Sequence, residues 1–314
     1  MSDGEEARGI LRDSAVIVFV NFKAGGGRAR HYLTQIQKLF ESSQVHAEFA
    51  MTNSATELES SVQNAIANGR RTLFAMGGDG TFQALANAAF GADALLGVLP
   101  FGGGNDFAAA LGLHVDPLKA AESLLRGKPR FVDLVRARTA EGQTRLYAGG
   151  GGVGLDAEAV RHANGAYRRI PGRLRYLASA LHALVAYKAL EVRMDFPGSD
   201  LNSHQGNALL VAALNSPSYG GGLRLAPSAA VDDGLLDIVM IEYLSKFGAL
   251  ALLPRLMGSG ELRSARVKRW RAQRIRLMTN RPCCFHGDGE IIGTTPVEIE
   301  VVPRAIQVLA PREN

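Results

Sequence analysis

The chain has 314 residues, a net charge of +5 and a 46% hydrophobic composition, which suits a soluble globular protein of about two domains with room for a packed core. No apolar run reaches the roughly 18–20 residues that a membrane-spanning helix needs, and the acidic start, Met1 to Glu6, has no signal-peptide pattern. The two cysteines, Cys283 and Cys284, are adjacent, which excludes a disulfide framework or a zinc site and leaves a reducing cytoplasm as the expected location.

In chain order, Val16 to Val20 reads as a buried strand, followed by a glycine-rich turn, Asn21 to Arg28 (NFKAGGGR). Tyr32, Leu33, Ile36, Leu39 and Phe40 then recur at helical spacing. Ser54-Ala55-Thr56-Glu57 is a capping-box pattern, and Gly69 stands where the following helix should stop. Thr72 to Met76 is a second apolar strand, running into Gly77-Gly78-Asp79-Gly80-Thr81 and then a helical start at 82–87. Leu95 to Pro100 repeats the pattern, with Phe101-Gly102-Gly103-Gly104-Asn105-Asp106 as its turn and a helix from Phe107. Asp116-Pro117 opens another helix, which Gly127 closes. This alternation predicts an α/β domain with a mostly parallel sheet.

Beyond Val132 the texture changes to strands in meanders, with turn signals at Glu141-Gly142, Pro197-Gly198, Ser216 to Gly222 and Asp232-Asp233-Gly234. Residues 174–191 and 245–257 read as helices, and Val297 to Val301 alternates as a half-buried antiparallel strand. The expected division is an α/β domain over 1–133 and a mainly antiparallel β domain over 134–303. Residues 263–276 hold seven Arg or Lys and no acid. Nucleic acid, an anionic membrane, or water on a strand's solvated face would each suit that run.

Glycine turns between strand and helix expose backbone N–H groups and let a phosphate approach the main chain. Three such turns at the carboxyl edge of one parallel sheet would form a ligand site. None matches the GxxxxGK[ST] loop or the full GxGxxG fingerprint. Gly77, Gly78, Gly80, Gly102, Gly103 and Gly104 are the candidate phosphate cradle, with Asn21 and Thr81 adding polar groups at the same edge. Asp79 cannot bind phosphate itself; it suits a Mg²⁺ ion or the orientation of a neighbour. Asp106 is the best candidate to contact Mg²⁺, with a helix-capping acid as the plainer reading. Asp288-Gly289 is a common hairpin signal, so a simple turn competes with a catalytic role there.

GGDGT at 77–81 and LGVLPFGGGNDFA at 96–108 resemble the diacylglycerol kinase catalytic family, the bacterial lipid kinases and their sphingosine and ceramide kinase relatives. FVDL at 131–134, GVGLDA at 152–157, DDGLLD at 232–237 and Asp288-Gly289-Glu290 continue the resemblance along nearly the whole chain. Two positions depart from the pattern. The first turn lacks the family's Asn-Pro and Ser-Gly, and Gly103 stands where Thr is common.

The resemblance implies a β-sandwich as the second domain, with 304–314 returning to the first. It implies ATP and Mg²⁺ as cofactors, with Asn105 in the nucleotide turn and Asp79 and Asp133 joining Asp106 in an acidic network. Asp288 becomes the general base for a lipid hydroxyl, assisted by Glu290. Asp233, with the carbonyls of Ala230 and Leu235, becomes a structural Mg²⁺ site. The expected function is an ATP-dependent lipid kinase acting on the primary hydroxyl of a diacylglycerol or a ceramide or sphingoid lipid. It would be cytoplasmic and peripherally bound to the inner face of the membrane. Lipid and an anionic membrane surface, not nucleic acid, are then the expected partners, and a homodimer stays open. A NAD kinase-like enzyme, which shares GGDGT, and a non-catalytic lipid or nucleotide sensor on a kinase fold are the alternatives.

Overall fold

A computed structural model describes residues 11–12, 14–167, 170, 172–257 and 264–312. The chain divides into two compact units, Met1–Val132 with Arg304–Asn314, and Asp133–Pro303.

In the first unit, strands and helices alternate: β1 (Val16–Asn21), α1 (Arg28–Ser42), β2 (Ala47–Thr52), α2 (Ala55–Ala67), β3 (Thr72–Gly77), α3 (Asp79–Ala89), β4 (Leu95–Pro100), α4 (Asp106–Ala110) and α5 (Pro117–Leu124). The strands pair parallel in the order β2-β1-β3-β4. Residues 304–310 join as the next parallel strand through Gln307 beside Leu95. β3 and β4 are buried along their whole length, which is why they read as unbroken apolar runs. Burying a side chain such as Phe74 contributes about 1.5–3 kcal/mol. The expected caps form. Ser54 accepts from Glu57 N at 3.1 Å while Glu57 accepts from Asn53 N at 2.8 Å. Asp116 accepts from Leu118 N at 2.9 Å with Pro117 at the first helical position.

The chain leaves this unit along β5 (Lys128–Thr139). The second unit continues with β6 (Thr144–Tyr147), β7 (Gly150–Gly154), α6 (Leu155–Asn164), α7 (Gly172–Ala186), β8 (Leu190–Asp195), β9 (His204–Leu214), β10 (Leu236–Glu242), α8 (Lys246–Met257), β11 (Val267–Ala272), β12 (Arg274–Thr279), β13 (Cys284–Gly287), β14 (Glu290–Thr294) and β15 (Val297–Ala310). Its pairings are antiparallel. β9 is shared, with β7 and β8 along one side and β10, which leads to β11, along the other. Val135, Tyr147, Val192, Ile275 and Phe285 belong to its main apolar core. A second cluster, including Leu184, Leu209 and Ala249, lies where α7 and α8 pack. The result is an antiparallel, β-sandwich-like architecture.

One reading of the sequence changes. The helix expected over 174–191 ends at Ala186. The chain beyond is drawn into the sheet, where Tyr187 donates to Ala208 O at 3.1 Å and Leu190 pairs with Ala208. The basic run does not present a free row of cations. Lys268 meets Glu242 at 2.8 Å, Arg274 meets Glu300 at 2.5 Å and Arg276 approaches Glu298 at 4.0 Å. Arg269 donates to Leu225 O at 3.0 Å, and Arg266 reaches Tyr243 O at 3.4 Å. Trp270 packs against the main core, 5.9 Å from the Phe196 ring. Arg263 and the acidic start of the chain lie outside the described residues.

Candidate active site

The strand order of the first unit reverses between β1 and β3, the switch point at which open α/β sheets bind ligands. Two of the glycine turns meet there: Asn21 Nδ2, ending β1, donates to Thr81 Oγ1 in α3 at 3.1 Å. Asn21 Oδ1 also accepts from Lys23 N at 3.0 Å. Beyond it Gly25, Gly26 and Gly27 have φ of 60°, 69° and 91°. Consecutive left-handed residues favour glycine, so this atypical turn is a backbone loop of its own design.

The second and third turns are locked together. Asp79 accepts from Asn105 N at 2.8 Å and from Phe107 N at 3.2 Å. Asn105, itself left-handed at φ 58°, accepts from Gly102 N at 2.7 Å and donates to Gly102 O at 3.1 Å. The two backbones touch: a Cβ on Gly102 would lie 2.6 Å from Gly78 Cα. A Cβ on Gly77 would strike Thr81. Behind the turns, Phe82 and Phe107 stack with centroids 4.5 Å apart. Gly80 lies in the first turn of α3, and Gly103 and Gly104 in the loop before α4. Asp106 is buried at the first position of α4.

The other candidate acids belong to the second unit. Asp133 is buried; its carboxylate accepts from Gly234 N at 2.7 Å and its own N–H donates to Val231 O at 2.7 Å. It anchors the 231–234 loop. In that loop Asp233 accepts from Leu235 N at 3.0 Å and pairs with Arg271, whose Nε is also 3.5 Å from Asp237. Of the donors expected to hold a structural Mg²⁺, the Asp233 carboxylate already faces a cation of the chain itself. Ala230 and Leu235 flank this loop. Among the described residues, no group of three or more His, Cys, Asp or Glu side chains is arranged to hold a metal ion. Around Asp106 a Mg²⁺ would need only one or two carboxylates, because nucleotide phosphates supply other ligands.

Asp288 forms the tip of the hairpin between β13 and β14, with φ of 49°, and Gly289 follows at 81°. Such a left-handed pair is the turn that Asp-Gly favours. Its carboxylate accepts from the start of the neighbouring strand β7: Ala148 N at 2.7 Å, Gly149 N at 2.9 Å and Gly150 N at 3.0 Å. Burial of the carboxylate pushes its pKa up, while donation from these three N–H groups pulls the other way; the net direction is up. Asn164 of α6 steadies the hairpin by donating to Gly289 O at 2.9 Å. Glu290 is half-buried at the start of β14.

Sequence reasoning missed two connecting groups. Asn215 is buried and donates to Asp133 O at 3.1 Å and Ala148 O at 3.0 Å, so it links the Asp133 strand to the 148–150 segment that donates to Asp288. Asp156 accepts from Tyr219 Oη at 3.1 Å and lies 3.3 Å from His286 Nε2. The other ring nitrogen of His286 is buried without a hydrogen-bond partner. Asp156 sits in the GVGLDA motif, which was the available signal. Nothing in the sequence marked Asn215.

Residues 15–137 match the diacylglycerol kinase catalytic domain, and residues 151–310 match the YegS C-terminal NAD kinase beta sandwich-like domain. A diacylglycerol kinase of Mycobacterium tuberculosis is 31% identical over 251 residues, covering 80% of each chain. A diacylglycerol kinase of Bacillus subtilis is 25% identical over 300 residues, covering 95% of this chain and 96% of its own. A crystal structure of a diacylglycerol kinase from Bacillus anthracis superimposes with a TM-score of 0.73 at 20% identity, over 95% of this chain and 97% of its own, a likeness of fold. The chain is a kinase and belongs to the diacylglycerol kinase family of lipid kinases.

Proposed function

We propose that this kinase transfers the terminal phosphoryl group of ATP, with Mg²⁺, to the primary hydroxyl of a membrane lipid of the diacylglycerol or ceramide and sphingoid type. The observation that carries the reading is the locked edge of the first unit, where Asp79 and Asn105 hold two glycine turns in contact. In this reading the turns at 77–80 and 102–104 receive the phosphates, and Asn21 and Thr81 set the position of the first turn. Asp106 is the ligand for Mg²⁺, which when bound neutralises charge on the phosphates. Asp79 acts through Asn105, holding the turn in shape.

Asp288 accepts the proton of the lipid hydroxyl. Its raised pKa makes it a stronger base than an ordinary carboxylate, and its three backbone donors fix its orientation. Glu290 supports it from the same hairpin. Asp133 and Asn215 position the 148–150 segment that supplies those donors. At the Asp233 loop, Arg271 takes the place of the structural Mg²⁺ suggested by the sequence.

The lipid substrate requires contact with a bilayer. No helix among the described residues is long and apolar enough to cross a membrane, so attachment is peripheral in this reading. ADP release measured over micelles of diacylglycerol, ceramide or a sphingoid base, and over NAD in solution, tests the assignment. Turnover with lipid is expected; turnover with NAD alone would replace it by the NAD kinase alternative.

A further inference from the structure

The outer faces of α7 and α8 are apolar where they should be polar. Leu174, Leu177, Leu181 and Val185 are all exposed and recur at a spacing of three, four and four residues, so they form one stripe along α7. Val185 is 68% exposed, and Phe247 at the start of α8 is 86% exposed. Leu250 and Tyr243 are exposed nearby in sequence. The inner faces are satisfied separately, since Leu184 and Ala249 are buried in one cluster with Leu209. The two helices also meet at the exposed side: Lys246 donates through Nζ to the Val185 carbonyl. That bond ties the end of the α7 stripe to the residue that precedes Phe247. Scattered exposed apolar residues need no explanation, but a contiguous set of this size marks an interaction surface.

The charge around the stripe indicates the partner. Neither α7 nor α8 contains an Asp or Glu, whereas Arg173 and Arg175 lie in the first and Lys246 and Arg255 in the second. An exposed apolar stripe on helices whose sequences carry basic residues and no acid complements an anionic bilayer. The basic strands meet acids: their cations pair with Glu242, Glu298, Glu300, Asp233 and Asp237.

We infer that the protein docks on anionic membranes through the apolar face of α7 and the start of α8, with Phe247 and Val185 entering the acyl boundary, and not through the basic strands β11 and β12. This rests on the lipid-kinase reading for its purpose, but it predicts vesicle binding independently of turnover. The test is sedimentation with vesicles of equal parts phosphatidylglycerol and phosphatidylcholine. The triple variant Leu174→Gln, Val185→Gln, Phe247→Gln is expected to lose about tenfold or more in vesicle binding. It should melt as the wild type does and keep its activity on a short-chain, water-soluble diacylglycerol. Arg274→Gln with Arg276→Gln is expected to lose less than about threefold, since those cations are already paired.

A triple variant that binds vesicles like the wild type, or a strand variant that loses as much, would overturn the assignment. So would a wild-type dimer that the triple substitution converts to monomer without affecting vesicle binding, which would assign the face to self-association. Failure of the wild type to phosphorylate the soluble lipid, with the vesicle results as expected, would instead overturn the substrate reading and leave the docking face standing.

Discussion

Asp79 and Asp288 make the same kind of connection in different surroundings. Each carboxylate gathers backbone N–H groups from a segment distant in sequence, two for Asp79 and three for Asp288. Asp79 joins two glycine turns that leave neighbouring parallel strands, so its clamp shapes a loop edge. Asp288 is carried on a left-handed hairpin tip and tied to the start of the neighbouring antiparallel strand β7, with the residue half-buried. A carboxylate whose pKa is raised by burial is suited to take a proton; one that closes a turn is suited to hold a phosphate cradle still. Under the proposed function the comparison is between a chemical acid and a positioning acid, and substitutions at each should differ in kind.

The largest effect is expected at Asp288. Asp288→Asn keeps one acceptor oxygen, enough for the Gly149 and Gly150 donors, but turns an NH2 toward Ala148 N. It should cost about 1–3 kcal/mol in stability, while removal of the base should lower turnover of the still-folded protein by about 10²–10⁴-fold. Activity near the wild-type level would reduce Asp288 to a turn residue. Asp79→Ala should act on nucleotide binding, leaving the N–H groups of Asn105 and Phe107 without their acceptor. It should cost about 1–3 kcal/mol in stability and raise KM for ATP more than it lowers kcat on saturating nucleotide. Denaturant titration and steady-state kinetics on the same preparation distinguish the two patterns.

Gly102→Ala sharpens the comparison from the cradle side. Its Cβ would enter the Gly78 backbone and the Asn105 side chain, an overpacking worth about 1–3 kcal/mol, and nucleotide affinity measured by titration should weaken with it. Unchanged affinity would remove the turn from the nucleotide site. A smaller effect is expected at the Asp233 loop. Arg271→Gln should lower the melting temperature by a few degrees, roughly 1 kcal/mol, and Mg²⁺ should then restore part of the loss by mass action. In the wild type, without nucleotide, Mg²⁺ should leave the melting temperature unchanged; a shift there would show that the metal displaces the guanidinium.

The smallest signal is the pH dependence of stability. The folded pKa of Asp288 is raised, so its contribution is present below the unfolded value of about 3.9 and is lost as pH rises through the folded value. Wild type should therefore lose stability relative to Asp288→Asn as pH rises through that range, and the acid limb of kcat/KM should lie above the ordinary carboxylate range. A gap that narrowed in the other direction would mean that the three N–H donors outweigh burial.

The two regions were not equally legible in the sequence. The parallel unit is written locally: Ser54 and Glu57, Asp116 and Pro117, and each strand–glycine turn–helix repeat lie within a few residues of what they control. The clamp from Asp79 to Asn105 spans 26 positions and was visible only as two acids in register. In the antiparallel unit the deciding partners are remote. Asp288 and Ala148 are 140 positions apart, and Asn215 lies 82 from Asp133. No periodicity carries such pairings. The partners of the basic run were hidden for the same reason: Glu298 and Glu300 lie opposite Arg276 and Arg274 in register yet distant in the chain. The apolar stripe was present in the letters of 174–185, but its exposure depends on which face the sheet covers.

The most direct measurement of the central claim is ADP release by wild type and Asp288→Asn, with ATP and Mg²⁺, over mixed micelles of diacylglycerol or ceramide and over NAD. The account predicts lipid-dependent ADP release matched by lipid phosphate formed, no turnover of NAD, and loss of the lipid reaction in Asp288→Asn. Phosphorylation of NAD without lipid turnover, or lipid phosphorylation undiminished by Asp288→Asn, would contradict it.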